Sequence, residues 1–384
     1  MPKRKWLKRL VVVLVVMAIP VGIAVYAASK LLVVVPDPFA PKQPDTTLGA
    51  AAATFGPGEL KRTDVTAHLD APIKKGRNLL YCATTQLAWN ELCKFAGSPV
   101  TLEGDSPVVA ALNRREITRA DLDEGSLVAA AGFGGPSLAK RIRSEIAGKP
   151  SITAAPRLLG HVETLPGDQL AAYALLAKGL PFEHAFDRWG GFWGIHQYTD
   201  HEENEKNAAS QMHLFDYKSK DNFILEIDTR SKADQLVLAK VPPAPTLKGL
   251  VEAVSARMAA SKPEAGMDDL ADLQVPVIDF DIVHDFSELC GKRITAAGPK
   301  AKGKQIALAR QAVRFRLDER GASLVSDVVI VTGIVETRDL VFRLPFLVMI
   351  RKRGAKLPYF ALWIDNEELL AEGGPGPLIG PGDR

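Results

Sequence analysis

Val313, Phe315 and Leu317 alternate with Arg314 and Arg316, the period-two pattern of a strand with one buried face, so residues 311–317 are expected to be a strand. It runs into Asp318-Glu319-Arg320-Gly321, a turn-forming sequence. Residues 323–331 hold Val325, Val328, Val329, Ile330 and Val331. That composition favours an extended strand and is costly to leave exposed, each fully buried Val or Ile being worth roughly 1.5–3 kcal/mol. The segment is therefore expected to be already paired as a strand, with Asp327 at a strand end or on a solvated face. After the polar run Glu336-Thr337-Arg338-Asp339, residues 340–350 read as one further strand.

Upstream, residues 78–97 begin as a short apolar run and become a helix with Cys82, Gln86, Trp89, Cys93 and Ala96 on one face and Gly97 as C-cap. Residues 108–113 read as a short helix, 126–133 as a strand, and 137–147 as a helix with Leu138, Ile142 and Ile146 at four-residue spacing. Strands are expected at 223–227 and 235–241. A helix follows at 246–258, capped by Thr246, with Leu247, Leu250, Val251, Val254 and Met258 as its buried stripe. In 275–284 the alternation puts Ile278, Phe280 and Ile282 inward and Asp279 and Asp281 outward.

Residues 10–28 are nineteen positions without a charge, behind Lys3, Arg4, Lys5, Lys8 and Arg9. That length spans a bilayer, and the basic flank stays cytoplasmic. An uncleaved anchor is favoured over a signal peptide cut near Val25-Tyr26-Ala27, and either way the globular part is extracytoplasmic. The chain then divides into the anchor with its flank (1–30), a Pro/Ala/Gly-rich tether (31–58), a globular domain (59–368) and a Gly/Pro-rich tail expected to be disordered (369–384).

Composition mainly excludes. With the five basic residues of the flank set aside, 43 basic residues stand against 45 acidic ones, so no basic face for nucleic acid is implied. Cys82, Cys93 and Cys290 are an odd number without a disulfide framework, and all three read as buried thiols. Gly132-Phe133-Gly134-Gly135 lacks both the lysine of a P-loop and the dinucleotide fingerprint. His196 and His201 are five apart with no third ligand fixed by spacing, which reads as a solvated turn and no metal site. No nucleophile–base pair or carboxylate pair marks an enzyme, and no cofactor is implied.

Four separated segments resemble those of serpins. In the first, Asn78 leads into a buried helix; Cys82 and Ala83 stand where Ser-Pro is expected, and Thr85 where a second serine is usual. In the second, an apolar run, Lys178-Gly179 and Phe186-Asp187 match the long third strand of the main sheet and its exit, with Tyr173 in place of an asparagine. The third is a strand, a helix and a valine-and-proline strand, with Ser287-Glu288-Leu289-Cys290 where a short helix should start. The fourth is the acidic hinge at Glu319, Gly321 and Ala322, and the return through Phe342, Pro345, Phe346, Ile350 and Arg351.

The resemblance implies an α+β fold: a mixed main sheet, a second barrel-like sheet from the regions at 235, 275 and 340, and packed helices. The helix that crosses the main sheet in serpins is expected to be missing, since only about twenty Pro- and Gly-rich residues separate 148 from 171. In that family a protease cuts an exposed loop, and the freed loop inserts as a new central strand. Here the loop would be 322–340 and the scissile bond Val335–Glu336. The polar shutter beneath the insertion point would be Cys82, Thr85, Tyr173 and Gln311. Insertion needs small residues after the hinge, whereas Leu324, Val325, Ser326 and Asp327 follow here, and an unpaired buried aspartate is heavily penalised. The expectation is therefore a membrane-anchored, non-inhibitory binding or structural module with a protein partner. Suicide inhibition of a serine or cysteine protease is the alternative.

Overall fold

The computed structural model describes residues 51, 53–104, 106–153, 155–189, 191–196, 202–265, 270–321 and 338–371. Its elements run β1 (Ala53–Phe55), β2 (Thr63–Thr66), β3 (Asn78–Cys82), α1 (Thr84–Ala96), β4 (Thr101–Leu102), α2 (Pro107–Asn113), β5 (Leu127–Phe133), α3 (Pro136–Ala147), α4 (Leu159–Thr164), β6 (Leu170–Leu176), β7 (Asp187–Trp189) and β8 (Phe192–His196). They continue with α5 (Glu202–Ser210), β9 (Met212–Ser219), β10 (Asn222–Ile227), β11 (Asp234–Lys240), α6 (Leu247–Ala260), β12 (Glu264–Ala265), β13 (Leu270–Pro276), β14 (Ile278–Asp285), β15 (Ile294–Ala296), β16 (Arg310–Leu317), β17 (Arg338–Val341), β18 (Phe346–Lys352) and β19 (Phe360–Ile364).

The largest sheet has eight strands in the order β12-β9-β10-β11-β18-β19-β3-β2. Every pairing in it is antiparallel except β2 with β3. β11 and β19 are buried along their whole length, so β19 reads as a continuous apolar run and β11 carries one from Leu236 to Ala239 instead of an alternating pattern. α6 contributes Leu247, Leu250, Val251 and Val254 to the same core. Four smaller sheets among the described residues complete the framework: β1-β14-β16, β17-β13-β8-β7 and the pairs β5-β6 and β4-β15. The class is α+β with mixed sheets, as the sequence leads one to expect.

Helix ends follow local chemistry. Thr246 accepts from the Gly249 amide and starts α6, and Ser106 does the same for Val109 ahead of Pro107 in α2. Gly97 closes α1 in the left-handed conformation at φ 79°, its amide reaching the Cys93 and Lys94 carbonyls.

Several expectations are corrected. The strands read at 275–284 and 340–350 are each broken near a proline: Pro276 ends β13 before β14 begins in another sheet, and β17 and β18 are parted around Pro345. A proline offers no amide to a ladder, so it marks where the chain changes sheets. The regions at 235, 275 and 340 consequently do not share one sheet. β11 and β18 lie in the eight-stranded sheet, whereas β13 and β17 lie in the four-stranded one. Cys82 ends β3 and is not part of α1, and Cys290 is only half-buried. Asp279 and Arg316 point outward in the alternating pattern yet are buried, because their face of the β14–β16 pair holds a layer of mutually paired charges. The interval between α3 and β6 does hold a helix, but one of six residues, α4. Residues 287–290 make a turn and no helix, with the Leu289 and Cys290 amides both on the Phe286 carbonyl.

Candidate functional site

β6 pairs on one edge with β5, and β16 pairs on one edge with β14. Their other edges face each other. The two strands run parallel, because the chains leaving their C-terminal ends meet at a bridge between Pro181 and Gly321. There the Phe182 amide donates to the Arg320 carbonyl at 2.9 Å and the Phe186 amide to the Glu319 carbonyl at 2.7 Å. Below this closed end, no strand among the described residues joins β6 to β16. A cavity of about 830 Å³ lies between them, lined by Trp89, Tyr173, Leu175, Gln311, Val313 and Phe315 among others.

The closed end is held by a tight turn and by charge. Asp318 and Gly321 exchange both backbone hydrogen bonds, at 3.0 and 3.1 Å. Gly321 sits at φ +106°, and a Cβ there would stand 2.4 Å from the Leu180 carbonyl oxygen, so glycine is required on both counts. Asp318, fully buried, accepts from Arg316 Nε at 2.7 Å and from the Arg320 amide at 3.0 Å. Asp279 in turn bridges Arg314 at 2.5 Å and Arg316 at 3.2 Å. Glu319 is buried with Arg188 Nη1 3.5 Å from Oε2; burial, and then the neighbouring Asp318 charge, push its carboxyl above the usual range. At the same end, Lys178 Nζ lies 2.7 Å from Asp234, whose other oxygen accepts from the Tyr359 hydroxyl at 2.9 Å.

Gln311 sits on the wall of the slot. Its Nε2 donates to the Cys82 carbonyl at 3.0 Å and to Thr84 Oγ1 at 2.8 Å, which fixes the amide orientation and leaves the buried Oε1 without a partner. Of the four shutter positions, Cys82 and Gln311 are thus brought together. Thr84 takes the place assigned to Thr85, which lines the cavity but does not bond Gln311. Tyr173 stands on the β6 side of the same cavity, packed with Val128, Leu138 and Ile142, its phenol pushed up to about 12 by burial. Nothing in a Thr84-Thr85 pair tells from sequence which hydroxyl turns toward Gln311.

Asn78 is fully satisfied. Its side chain donates to Thr63 Oγ1 and Asn366 Oδ1 and accepts from the Asp365 and Asn366 amides, tying β3 to the end of β19. Burial raises the Cys82 thiol above its usual range, which disfavours a nucleophilic thiolate. Among the described residues, no three His, Cys, Asp or Glu side chains gather as metal ligands, and no helix is long and apolar enough to cross a membrane. His201, the His196 side chain and residues 10–28 lie outside the described residues. So do Ala322, Val335, Glu336 and the whole stretch 322–337.

The four segments that carry the serpin resemblance fold as strand and helix (β3, α1), strand (β6), strand–helix–strand (β11, α6, β13) and strand–turn–strand (β16, β18). No protein-family model matches the chain, and no curated protein matches it. Among solved structures it is similar to a thyroxine-binding globulin in complex with thyroxine, at 10% identity over 75% of this chain and 92% of that one, with a TM-score of 0.45. It is also similar to serpins from the trematodes Schistosoma haematobium (12% identity, 76% and 94% covered, TM-score 0.43) and Schistosoma mansoni (10%, 75% and 95%, 0.42).

Proposed function

We propose that this chain is a serpin-like binding module that takes an extended polypeptide into the slot between β6 and β16 without trapping a protease. The carrying observation is the pair of facing strand edges. Backbone donors and acceptors on such edges are satisfied by an added strand, and the apolar walls receive alternate side chains. The buried Gln311 Oε1 offers an acceptor to one of that strand's amides. The segment after Gly321 is the nearest candidate in sequence, but Leu324, Val325 and Asp327 oppose the rapid insertion that trapping requires. Residues 10–28 hold the module at a membrane with the domain outside the cytoplasm.

The test is incubation of the full chain with a panel of serine and cysteine proteases, followed by denaturing electrophoresis. Cleavage without a covalent complex is the expected result. A stable complex cut at Val335–Glu336 would replace this reading with suicide inhibition, the alternative that the same slot favours. Membrane attachment is tested separately by salt washing, since recovery of a soluble species starting near Ala28 would reject the anchor.

A further inference from the structure

The start of β6 and β16 is the end opposite the Pro181–Gly321 bridge, and it carries a cationic hairpin. Residues 291–309 contain Lys292, Arg293, Lys300, Lys302 and Lys304 and no acidic residue. The run doubles back on itself: the Ile294 amide donates to the Lys304 carbonyl, Gly303 to Ile294, Gly291 to Ile306 and Ile306 to Lys292, all at 2.8–2.9 Å. Five positive charges are thereby gathered on one short hairpin, and among the described residues none of the five makes an ion pair.

The hairpin leans on aromatic rings. Phe95, near the end of α1, and Phe133, at the end of β5, meet edge to face with centroids 5.5 Å apart. Lys300 Nζ lies 5.0 Å from the Phe95 ring and Lys304 Nζ 5.5 Å from the Phe133 ring. Lys304 also donates to the Asp168 carbonyl, in the turn just before β6. Phe133 and Leu308, 43% and 42% exposed, are the most exposed large apolar side chains among the described residues, and both lie at this end. Leu308 follows Lys304 by four residues and lies two residues before the start of β16.

We propose that this end of the domain docks on an anionic phospholipid surface, with the hairpin lysines at the headgroups and Phe133 and Leu308 entering the interface. Cations alone would suit any polyanion. Exposed apolar side chains set among unpaired lysines favour a lipid interface, where the charge is at the headgroup and the apolar layer lies just beneath. The inference concerns the folded domain; Leu308 also lines the slot cavity, whereas Phe133 and the five hairpin cations do not.

The experiment is hydrogen exchange of the full chain with vesicles of neutral phosphatidylcholine and with vesicles containing 30 mol% phosphatidylglycerol (about that fraction suffices for a negative surface). Any anchor at 10–28 is common to both arms. Expected is slowed exchange in 291–306 and 131–135 with the anionic vesicles alone, reversed by high salt, and an unchanged eight-stranded sheet. Arg293→Gln/Lys300→Gln/Lys302→Gln alters exposed side chains only and should keep the melting temperature while weakening the anionic-vesicle effect on the order of 100-fold, about fivefold per charge removed. Equal exchange in both vesicle types would overturn the proposal. So would protection by heparin or single-stranded DNA with none by anionic vesicles, which would make the hairpin a site for soluble polyanions.

Discussion

Gly321 is the residue on which the closed end of the slot depends. Gly321→Ala places a Cβ 2.4 Å from a backbone oxygen at a positive φ, and should lower unfolding free energy by roughly 1–3 kcal/mol in urea titration. A neutral effect would mean that the turn is not formed as described. Gln311→Ala removes two hydrogen bonds and should cost about 1–3 kcal/mol, whereas Thr85→Ala should be close to silent; the reverse order would restore Thr85 to the shutter. Glu319 makes a pH prediction. Its carboxyl binds protons more readily in the folded chain than in the unfolded one, so its contribution to stability rises as pH falls from neutrality through the folded pKa, and levels off below the unfolded value. Glu319→Gln should remove that part of the profile, and a wild-type-minus-variant difference that stays flat between about pH 7.5 and 4.5 would exclude it.

At the scale of elements, helices were legible where a cap and a 3.6-residue stripe coincide. Thr246 with Leu247, Leu250, Val251, Val254 and Met258 placed the start of α6, which runs two residues past the expected end to Ala260, and Thr246→Ala should cost about 1 kcal/mol in thermal or urea unfolding. Strands were legible as strands but not in extent. Alternation tells which way a side chain points and not which sheet its backbone joins, so the changes of sheet at Pro276 and Pro345 did not show. Asp279 failed for a related reason. Period two separates faces, but both faces of the β14–β16 pair are covered, one of them by arginine–aspartate pairs. In the site, the hinge turn was legible because Asp318 and Gly321 are turn residues by their own chemistry. The slot was not legible, since it consists of two edges that do not meet, and no local pattern encodes that. The cationic hairpin was hidden by averaging: near-neutral overall charge says nothing about five positive residues brought together by one fold.

For the whole molecule, the decisive measurement is stability after a cut engineered between Val335 and Glu336. If residues 323–331, ahead of the cut, already pair as a strand, cutting should leave the melting temperature unchanged or lower, whereas a gain of tens of degrees would promote the inhibitor reading. Another consequence lies in β1. This three-residue strand, Ala53–Phe55, falls inside the segment read from the sequence as tether (31–58), yet it is held to the domain in parallel register with Phe280, Asp281 and Ile282 of β14. If residues 10–28 sit in a membrane, any mechanical load on the domain enters through β1, which should act as a force fuse. In single-molecule extension from the N-terminus, β1 should peel away first and at low force, lengthening the tether by a few residues while the eight-stranded sheet stays folded.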